Sequence, residues 1–141
     1  MRSPAELTTA FRSAGLKVTP QRQLLFRLLH DNQSHPTADA LFAMASADMP
    51  GISLRTVYQT LNDLAAMGEL QSLNFGGSTR FDPNTDEHHH LVCSTCGVVR
   101  DVYLDLDGVC APPSEAVDGF DVTSTAVVFH GQCAACRTTA S

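Results

Sequence analysis

Apolar residues recur with helical spacing along the first half of the chain, and capping residues mark where each helix begins and ends. The pattern predicts a first helix from Pro4 to Ala14 that Gly15 ends. Thr19 and Pro20 predict the start of a second helix, because threonine caps helices and proline suits the first helical position. The predicted buried stripe of this second helix comprises Leu24, Leu25, Leu28 and Leu29.

Two more helices are predicted between residues 37 and 68. Thr37 can cap the third helix, and Asp39 in its first turn is favourable near the positive end of the helix dipole. Ser53 can cap the fourth helix, which Gly68 ends. The core-facing residues of this fourth helix, at positions i, i+4 and i+7, are Val57, Leu61 and Leu64.

A hairpin is predicted directly after the helices. The segments Glu69–Phe75 and Ser78–Asp82 are strand-like, and they flank Gly76 and Gly77, a pair typical of a tight turn. In a winged helix-turn-helix, short helices are followed by a hairpin in the same order. We therefore predict a winged-helix domain over residues 1–82.

A second module is predicted over residues 88–141, after a turn-rich hinge at residues 83–87. Its predicted strands are Leu91–Val92, Val98–Leu104 and Val122–Phe129. Between the last two, Pro112 and Pro113 require any helix to be short and to start after Pro113. The chain as a whole is therefore predicted to be α+β.

Charge is distributed unevenly between these modules. The net charge of −6 alone argues against a nucleic-acid partner. However, residues 1–80 carry seven Lys and Arg against six Asp and Glu, whereas residues 81–141 carry two against nine. A near-neutral half joined to an acidic half predicts two modules with different partners. An acidic half rich in histidine and cysteine could be neutralised by divalent cations.

Composition and the N-terminal sequence narrow the class of protein. The chain is 43% hydrophobic and 17% charged, as in ordinary globular proteins. No run approaches the roughly 20 apolar residues of a membrane span, and Met1 to Glu6 lacks an apolar signal core, which predicts a cytoplasmic protein. Five cysteines in a reducing compartment favour metal or thiol chemistry over structural disulfides.

The polar face of the fourth helix is a candidate for the major groove of DNA. Arg55, Gln59 and Asn62 share one face, and Tyr58 lies beside them. These residue types hydrogen-bond phosphates and base edges, although a merely solvated face has the same composition. Arg80 in the predicted wing favours the DNA interpretation. The candidate DNA contacts are Lys17, Arg22, Arg55, Thr56, Tyr58, Gln59 and Asn62.

Four of the five cysteines form two Cys-x-x-Cys pairs, Cys93 with Cys96 and Cys133 with Cys136. Two pairs supply the four thiolates of a tetrahedral zinc, and such a closed site is structural. The alternative is a redox dithiol, which would need one pair at a helix N-terminus after a strand. Two pairs favour zinc, and Cys110 is predicted to be an ordinary thiol.

A run of histidines with nearby aspartates forms a second candidate metal site. On a strand, His88 and His90 point to one face and His89 points to the other. Asp82 and Asp101 are plausible oxygen donors. A site with histidine and carboxylate ligands suits Mn²⁺, Fe²⁺, Zn²⁺, Co²⁺ or Ni²⁺. The alternative is a solvated surface run of histidines.

Together these motifs resemble the ferric uptake regulator (Fur) superfamily of bacterial metal-dependent repressors. The matching segments are Val18–Arg22, His35–Ala38, Ser53–Leu61, Arg80–Asp82, His88–Gly97 and Gly131–Cys136. They follow the order of the family and span nearly the whole chain.

The resemblance implies a winged-helix DNA-binding domain and a C-terminal α/β dimerisation domain. It implies a homodimer that represses transcription from palindromic double-stranded operators. The cysteines that it implies for structural Zn²⁺ are Cys93, Cys96, Cys133 and Cys136. The residues that it implies for a regulatory Fe²⁺ or Mn²⁺ are His35, Asp82, His88, His90 and Asp101.

The regulatory residues resemble those of the PerR-like, peroxide-sensing branch. Iron-responsive relatives more often carry glutamate at position 101, and zinc-sensing relatives commonly carry cysteine near position 82. In the peroxide-sensing branch a ligand histidine is oxidised, which implies His35 or His88 here. A further metal site of some relatives would fall on His89, Gly108 and Gln132, and it is not expected in this chain.

Two other functions are compatible with a histidine cluster. One is an iron-availability repressor of the same fold, in which loss of the metal and not oxidation releases the DNA. The other is a metal-dependent hydrolase or deaminase. The zinc deaminase signature requires His-x-Glu and Pro-Cys-x-x-Cys, and neither occurs in the sequence. We therefore predict a repressor and not an enzyme.

Overall fold

The computed structural model describes residues 1–106 and 117–139. The chain divides into two compact units, Met1–Asp86 and Glu87–Ser141. Helices and strands are mixed, which confirms the α+β class. Over the two described ranges, every helix is too short or too polar to cross a membrane. The sequence features that fall outside these ranges are Gly108, Cys110, Pro112 and Pro113.

Four helices form most of the N-terminal unit. They are α1 (Pro4–Ser13), α2 (Pro20–Leu29), α3 (Ala38–Asp48) and α4 (Leu54–Ala66). Three of them begin directly after their predicted caps, because the hydroxyls of Thr19, Thr37 and Ser53 accept hydrogen bonds from first-turn amides. Gly68 follows α4 with φ +75°, a left-handed conformation that glycine adopts without strain and that ends the helix.

The helices enclose an apolar core of their own. All four helices and the wing contribute to it, and its members include Leu7, Leu25, Leu41, Leu61 and Phe81. The rings of Phe11 and Phe26 meet edge to face with centroids 4.8 Å apart. Burial of these side chains stabilises the N-terminal unit without any contribution from metal.

The wing is a two-stranded hairpin that is shorter than the sequence predicts. Strands β1 (Gln71–Leu73) and β2 (Arg80–Asp82) are antiparallel, with Leu73 opposite Arg80. On its other side β2 contacts the segment before α3. The amide of Phe81 donates to the carbonyl oxygen of Pro36 at 2.9 Å. The end of the wing is therefore fixed beside residues 35–37.

A three-stranded sheet and a short helix form the C-terminal unit within the described ranges. Its elements are β3 (His89–Cys93), β4 (Val99–Val102), β5 (Val128–Gly131) and α5 (Ala134–Thr139). The central strand β3 is antiparallel to β4 and parallel to β5. The parallel pairing sets Cys93 beside Gly131. The two Cys-x-x-Cys pairs therefore meet at one end of the sheet.

The third strand of this sheet begins later than predicted. The pattern predicts Val122–Phe129, but residues 122–127 are not strand, and β5 begins at Val128. The backbone amide of Val127 donates to Nδ1 of His89 at 3.0 Å. The His89 side chain thus accepts the hydrogen bond that the Val127 amide would otherwise donate to the backbone of β3 if β5 extended further toward its N-terminus. The pairing with β3 therefore starts only at Val128.

Candidate metal centres and DNA-binding face

The four paired cysteines of the C-terminal unit lie together. Their sulfur atoms are all within 4.8 Å of one another, and the sulfurs of Cys96 and Cys133 are 3.8 Å apart. A zinc ion bonded to four sulfurs at about 2.3 Å requires sulfur–sulfur separations of about 3.8 Å. The cluster therefore fits a four-thiolate zinc site, with Cys93 and Cys136 buried.

Hydrogen bonds within the cluster shift the thiol pKa values in opposite directions. The backbone amide of Cys96, together with that of Cys133 at 3.4 Å from the sulfur, lowers the pKa of Cys93 to about 5. Hydrogen bonding with the side chain of Cys133, and to a smaller extent with the side chain of Cys96, raises the pKa of Cys136 to about 12. At neutral pH the cluster presents a thiolate, and a bound cation must displace the proton of Cys136.

One histidine–aspartate pair lies in the N-terminal unit. Nε2 of His35 is 3.4 Å from Oδ2 of Asp82, and both side chains are buried. Asp82 ends β2, and its Oδ1 accepts a hydrogen bond from the amide of Asn84 at 2.9 Å. His35 stands before α3 with φ +50°. An imidazole nitrogen and a carboxylate oxygen thus converge, and both are donor types that bind divalent metals.

A second group of histidines and aspartate lies in the C-terminal unit. Nε2 of His88 and Nε2 of His90 are 3.2 Å and 3.5 Å from the same oxygen, Oδ1 of Asp101. The register of β3 and β4 sets His90 opposite Asp101. The rings of His88 and His90 meet edge to face with centroids 4.6 Å apart. Two imidazoles and one carboxylate are the ligand set typical of non-haem Fe²⁺.

The sequence did not predict two contacts beside this group. His89 was expected only to face away from the metal, and its Nδ1 also accepts a hydrogen bond from the backbone amide of Val127. The ring of Tyr103 lies 5.8 Å from that of His88. Tyr103 is two residues beyond Asp101, so side-chain alternation along a strand would have placed both on one face.

The polar face of α4 is open to solvent. The residues of this face that are exposed are Arg55, Tyr58, Gln59 and Asn62. Val57, Leu61 and Leu64 lie on the opposite side and are fully buried. Lys17, in the loop before α2, is also exposed. These five polar side chains are therefore available to a ligand.

The other two candidate DNA contacts have partners within the protein. Nη2 of Arg22 is 2.8 Å from Oδ2 of Asp63, and its Nη1 donates to the carbonyl oxygen of Lys17 at 3.1 Å. The hydroxyl of Thr56 is 2.9 Å from that of Ser53, the residue that caps α4. Arg22 thus joins α2 to α4, and Thr56 supports the start of α4.

We expect Arg22→Gln and Asp63→Asn each to lower the free energy of unfolding by about 1 kcal/mol, because the ion pair joins two helices and is mostly shielded from water. The double variant should lose less than the sum of the two. Urea denaturation of the four proteins, followed by circular dichroism, measures the coupling. Arg27→Gln, an exposed arginine of the same helix, is the matched control. Strictly additive losses would show that the pair does not join the helices.

The sequence is similar to known regulators over nearly its whole length. A model of the ferric uptake regulator family matches residues 13–136. The chain is 38% identical over 134 residues to the peroxide-responsive repressor PerR of Staphylococcus epidermidis, covering 94% of this chain and 89% of that protein. It is 37% identical to PerR of Staphylococcus aureus strain Mu50, covering 94% and 90%.

Solved structures agree with this similarity. A peroxide stress regulator from Campylobacter jejuni matches with a TM-score of 0.61 and 26% identity, over 94% of this chain and 97% of that one. The ferric uptake regulator of Helicobacter pylori, described as having three functional metal-binding sites, matches with a TM-score of 0.75 over 97% and 93% of the two chains. Its identity of 20% limits that likeness to the fold.

Proposed function

This chain belongs to the ferric uptake regulator family, and from that premise we propose that it is a metal-dependent transcriptional repressor that senses peroxide through bound iron. Relatives at 37–38% identity bear the name peroxide-responsive repressor, which supports the peroxide-sensing part of the proposal. A repressor of this kind binds palindromic double-stranded operator DNA as a homodimer. Its regulatory metal is Fe²⁺ or Mn²⁺, and its structural metal is Zn²⁺.

The observation that carries the proposal is the group around Asp101. Two imidazoles converge on one carboxylate oxygen at 3.2 Å and 3.5 Å. This set binds Fe²⁺ and leaves further coordination positions for other ligands. The Cys cluster is a separate set of sulfur donors that suits zinc. The two sets therefore divide the metals by chemistry: nitrogen and oxygen for the regulatory ion, sulfur for the structural ion.

The proposed regulatory ion takes ligands from both units of the chain. His35 and Asp82 would supply one nitrogen and one oxygen, and the group of His88, His90 and Asp101 would supply the rest. An ion held by all of them would favour one relative orientation of the two units. If that orientation suits the operator best, metal binding and DNA binding stabilise each other by the same free energy. A coupling of about 100-fold corresponds to about 2.7 kcal/mol.

The proposed DNA interface is the exposed face of α4. In a winged helix-turn-helix the recognition helix enters the major groove, where Arg, Gln and Asn side chains read base edges. Arg55, Tyr58, Gln59 and Asn62 would make these contacts, and Lys17 would contact phosphate. Arg22 and Thr56 would act mainly by holding α4 in place.

The test is operator binding by fluorescence anisotropy, on a duplex selected from a random library by the Mn²⁺-loaded protein. We expect the zinc-loaded wild type to bind about 100-fold more tightly with Mn²⁺ than with a chelator that spares zinc. His88→Ala should bind with the affinity of the metal-free wild type under both conditions, because it lacks a ligand.

His130→Ala is the matched control for this experiment, because His130 is an exposed histidine of the same unit that lies outside both metal groups. It should keep the full response to Mn²⁺. A His88→Ala protein that still responds to Mn²⁺ would contradict the assignment of the regulatory site. Equal operator binding by wild type with and without metal would contradict metal-dependent repression itself.

A further inference from the structure

Arg80 lies in β2, and its guanidinium contacts the backbone of a candidate metal ligand. Nη1 of Arg80 donates a hydrogen bond to the carbonyl oxygen of His35 at 3.1 Å. The arginine is partly buried, and Asp82 follows two residues later on the same strand. The sequence pattern favours a contact of this arginine with DNA, whereas the observed bond engages it within the protein.

The backbone of His35 has an uncommon conformation that surrounding contacts must stabilise. Its φ of +50° is left-handed, a region that residues with a Cβ rarely adopt and that clusters at functional sites. The chain around it is bonded to β2: the amide of Phe81 donates to the carbonyl oxygen of Pro36, and Thr37 forms a bridge with Arg80. The Arg80 guanidinium adds a hydrogen bond to the backbone of His35 itself.

We infer that Arg80 is a positioning residue for the regulatory metal, acting through His35. The inference rests on the proposed function, since it concerns the same ligands. The bond from Arg80 holds His35 in its left-handed conformation, with Nε2 3.4 Å from Asp82. Without the guanidinium, the His35 backbone relaxes toward more common conformations and the imidazole leaves Asp82. A metal ion must then reorder His35 on binding, which weakens its affinity.

The first measurement is a calorimetric titration of the zinc-loaded full-length protein with Mn²⁺. Arg80→Gln should weaken Mn²⁺ binding about 10-fold, the effect typical of residues that orient metal ligands. Arg80→Lys keeps a charged donor and should recover part of the loss. Arg27→Gln removes the same charge from an exposed position on α2 and should leave the affinity unchanged.

The second measurement needs no regulatory metal. Amide hydrogen exchange is followed by NMR in the zinc-loaded protein. Arg80→Gln should speed exchange at Phe81, whose amide bonds the segment next to His35, and should leave the core amide of Leu25 unchanged. A general loss of stability would speed both.

A Mn²⁺ affinity of Arg80→Gln equal to that of wild type would overturn the inference, and so would equally accelerated exchange at Phe81 and Leu25. His35→Ala separates this failure from that of the proposed function. If His35→Ala weakens Mn²⁺ binding and Arg80→Gln does not, only the role of Arg80 is wrong. If His35→Ala leaves Mn²⁺ binding unchanged, the proposed regulatory site is wrong, and the inference fails with it.

Discussion

Replacing Cys136 by serine is expected to abolish zinc binding and to unfold the sheet of β3, β4 and β5 in the C-terminal unit, while the four N-terminal helices stay folded. Among the described residues of the C-terminal unit, the buried apolar side chains are Val92, Cys93, Val99 and Cys136. Two of these four are proposed zinc ligands. A structural zinc contributes on the order of 10 kcal/mol to folding at neutral pH, and so small a core cannot replace it.

Zinc content by elemental analysis and two-dimensional NMR of the full-length protein measure this outcome. Peaks of the C-terminal unit should collapse, whereas those of the N-terminal unit should keep their dispersion, because that unit has an apolar core of its own. Cys110→Ser is the matched control, since it removes the cysteine outside both pairs. One zinc per chain and an intact C-terminal spectrum in Cys136→Ser would contradict the closed four-thiolate site.

Peroxide is expected to release the iron-loaded repressor from its operator and to leave the manganese-loaded repressor bound. Fe²⁺ held by the proposed ligands would supply the electron that reduces peroxide, whereas Mn²⁺ held by the same ligands would not undergo this reaction. The proposed targets are His35 and His88, each with Nε2 within 3.4 Å of an aspartate oxygen. An oxidised imidazole is a weaker ligand, so operator affinity should fall about 100-fold, to that of the metal-free protein.

Anisotropy before and after a low dose of peroxide measures this release, and peptide mass spectrometry checks for one added oxygen atom on a histidine. His89 is the internal control, because it binds Val127 and faces away from the other two histidines of the run. Equal persistence of both metal forms would leave a repressor that responds only to iron availability. Release without histidine oxidation would contradict the proposed chemistry and not DNA binding.

Local sequence signals were sufficient to predict most of the N-terminal unit. Thr19, Thr37 and Ser53 each cap a helix where predicted, because capping is decided by one side chain and the amides within three residues of it. The pairing of cysteines was predictable for a similar reason. Two cysteines three residues apart can bind the same ion, and two such pairs supply the four thiolates of a tetrahedral zinc site.

Features that depend on distant contacts were not predictable from the sequence. The late start of β5 depends on a bond between Val127 and His89, 38 residues apart. The contact between Arg80 and His35 joins residues 45 apart in the sequence. An arginine at this position of the wing is equally typical of a DNA contact, so the sequence does not reveal its partner. The convergence of His88 and His90 on Asp101 was predictable in part. Side-chain alternation along a strand puts both histidines on one face, but it does not give the strand register that sets Asp101 opposite His90.

One strand, β3, serves both metal groups. His90 belongs to the histidine–aspartate group, and Cys93, three residues later, belongs to the thiolate cluster. We therefore expect the proposed zinc to bind before the proposed regulatory metal, because fixing Cys93 at one end of β3 would help to hold His90 in place. A newly made chain in a zinc-starved cell would then respond neither to iron nor to peroxide. Its target genes would stay switched on until zinc became available.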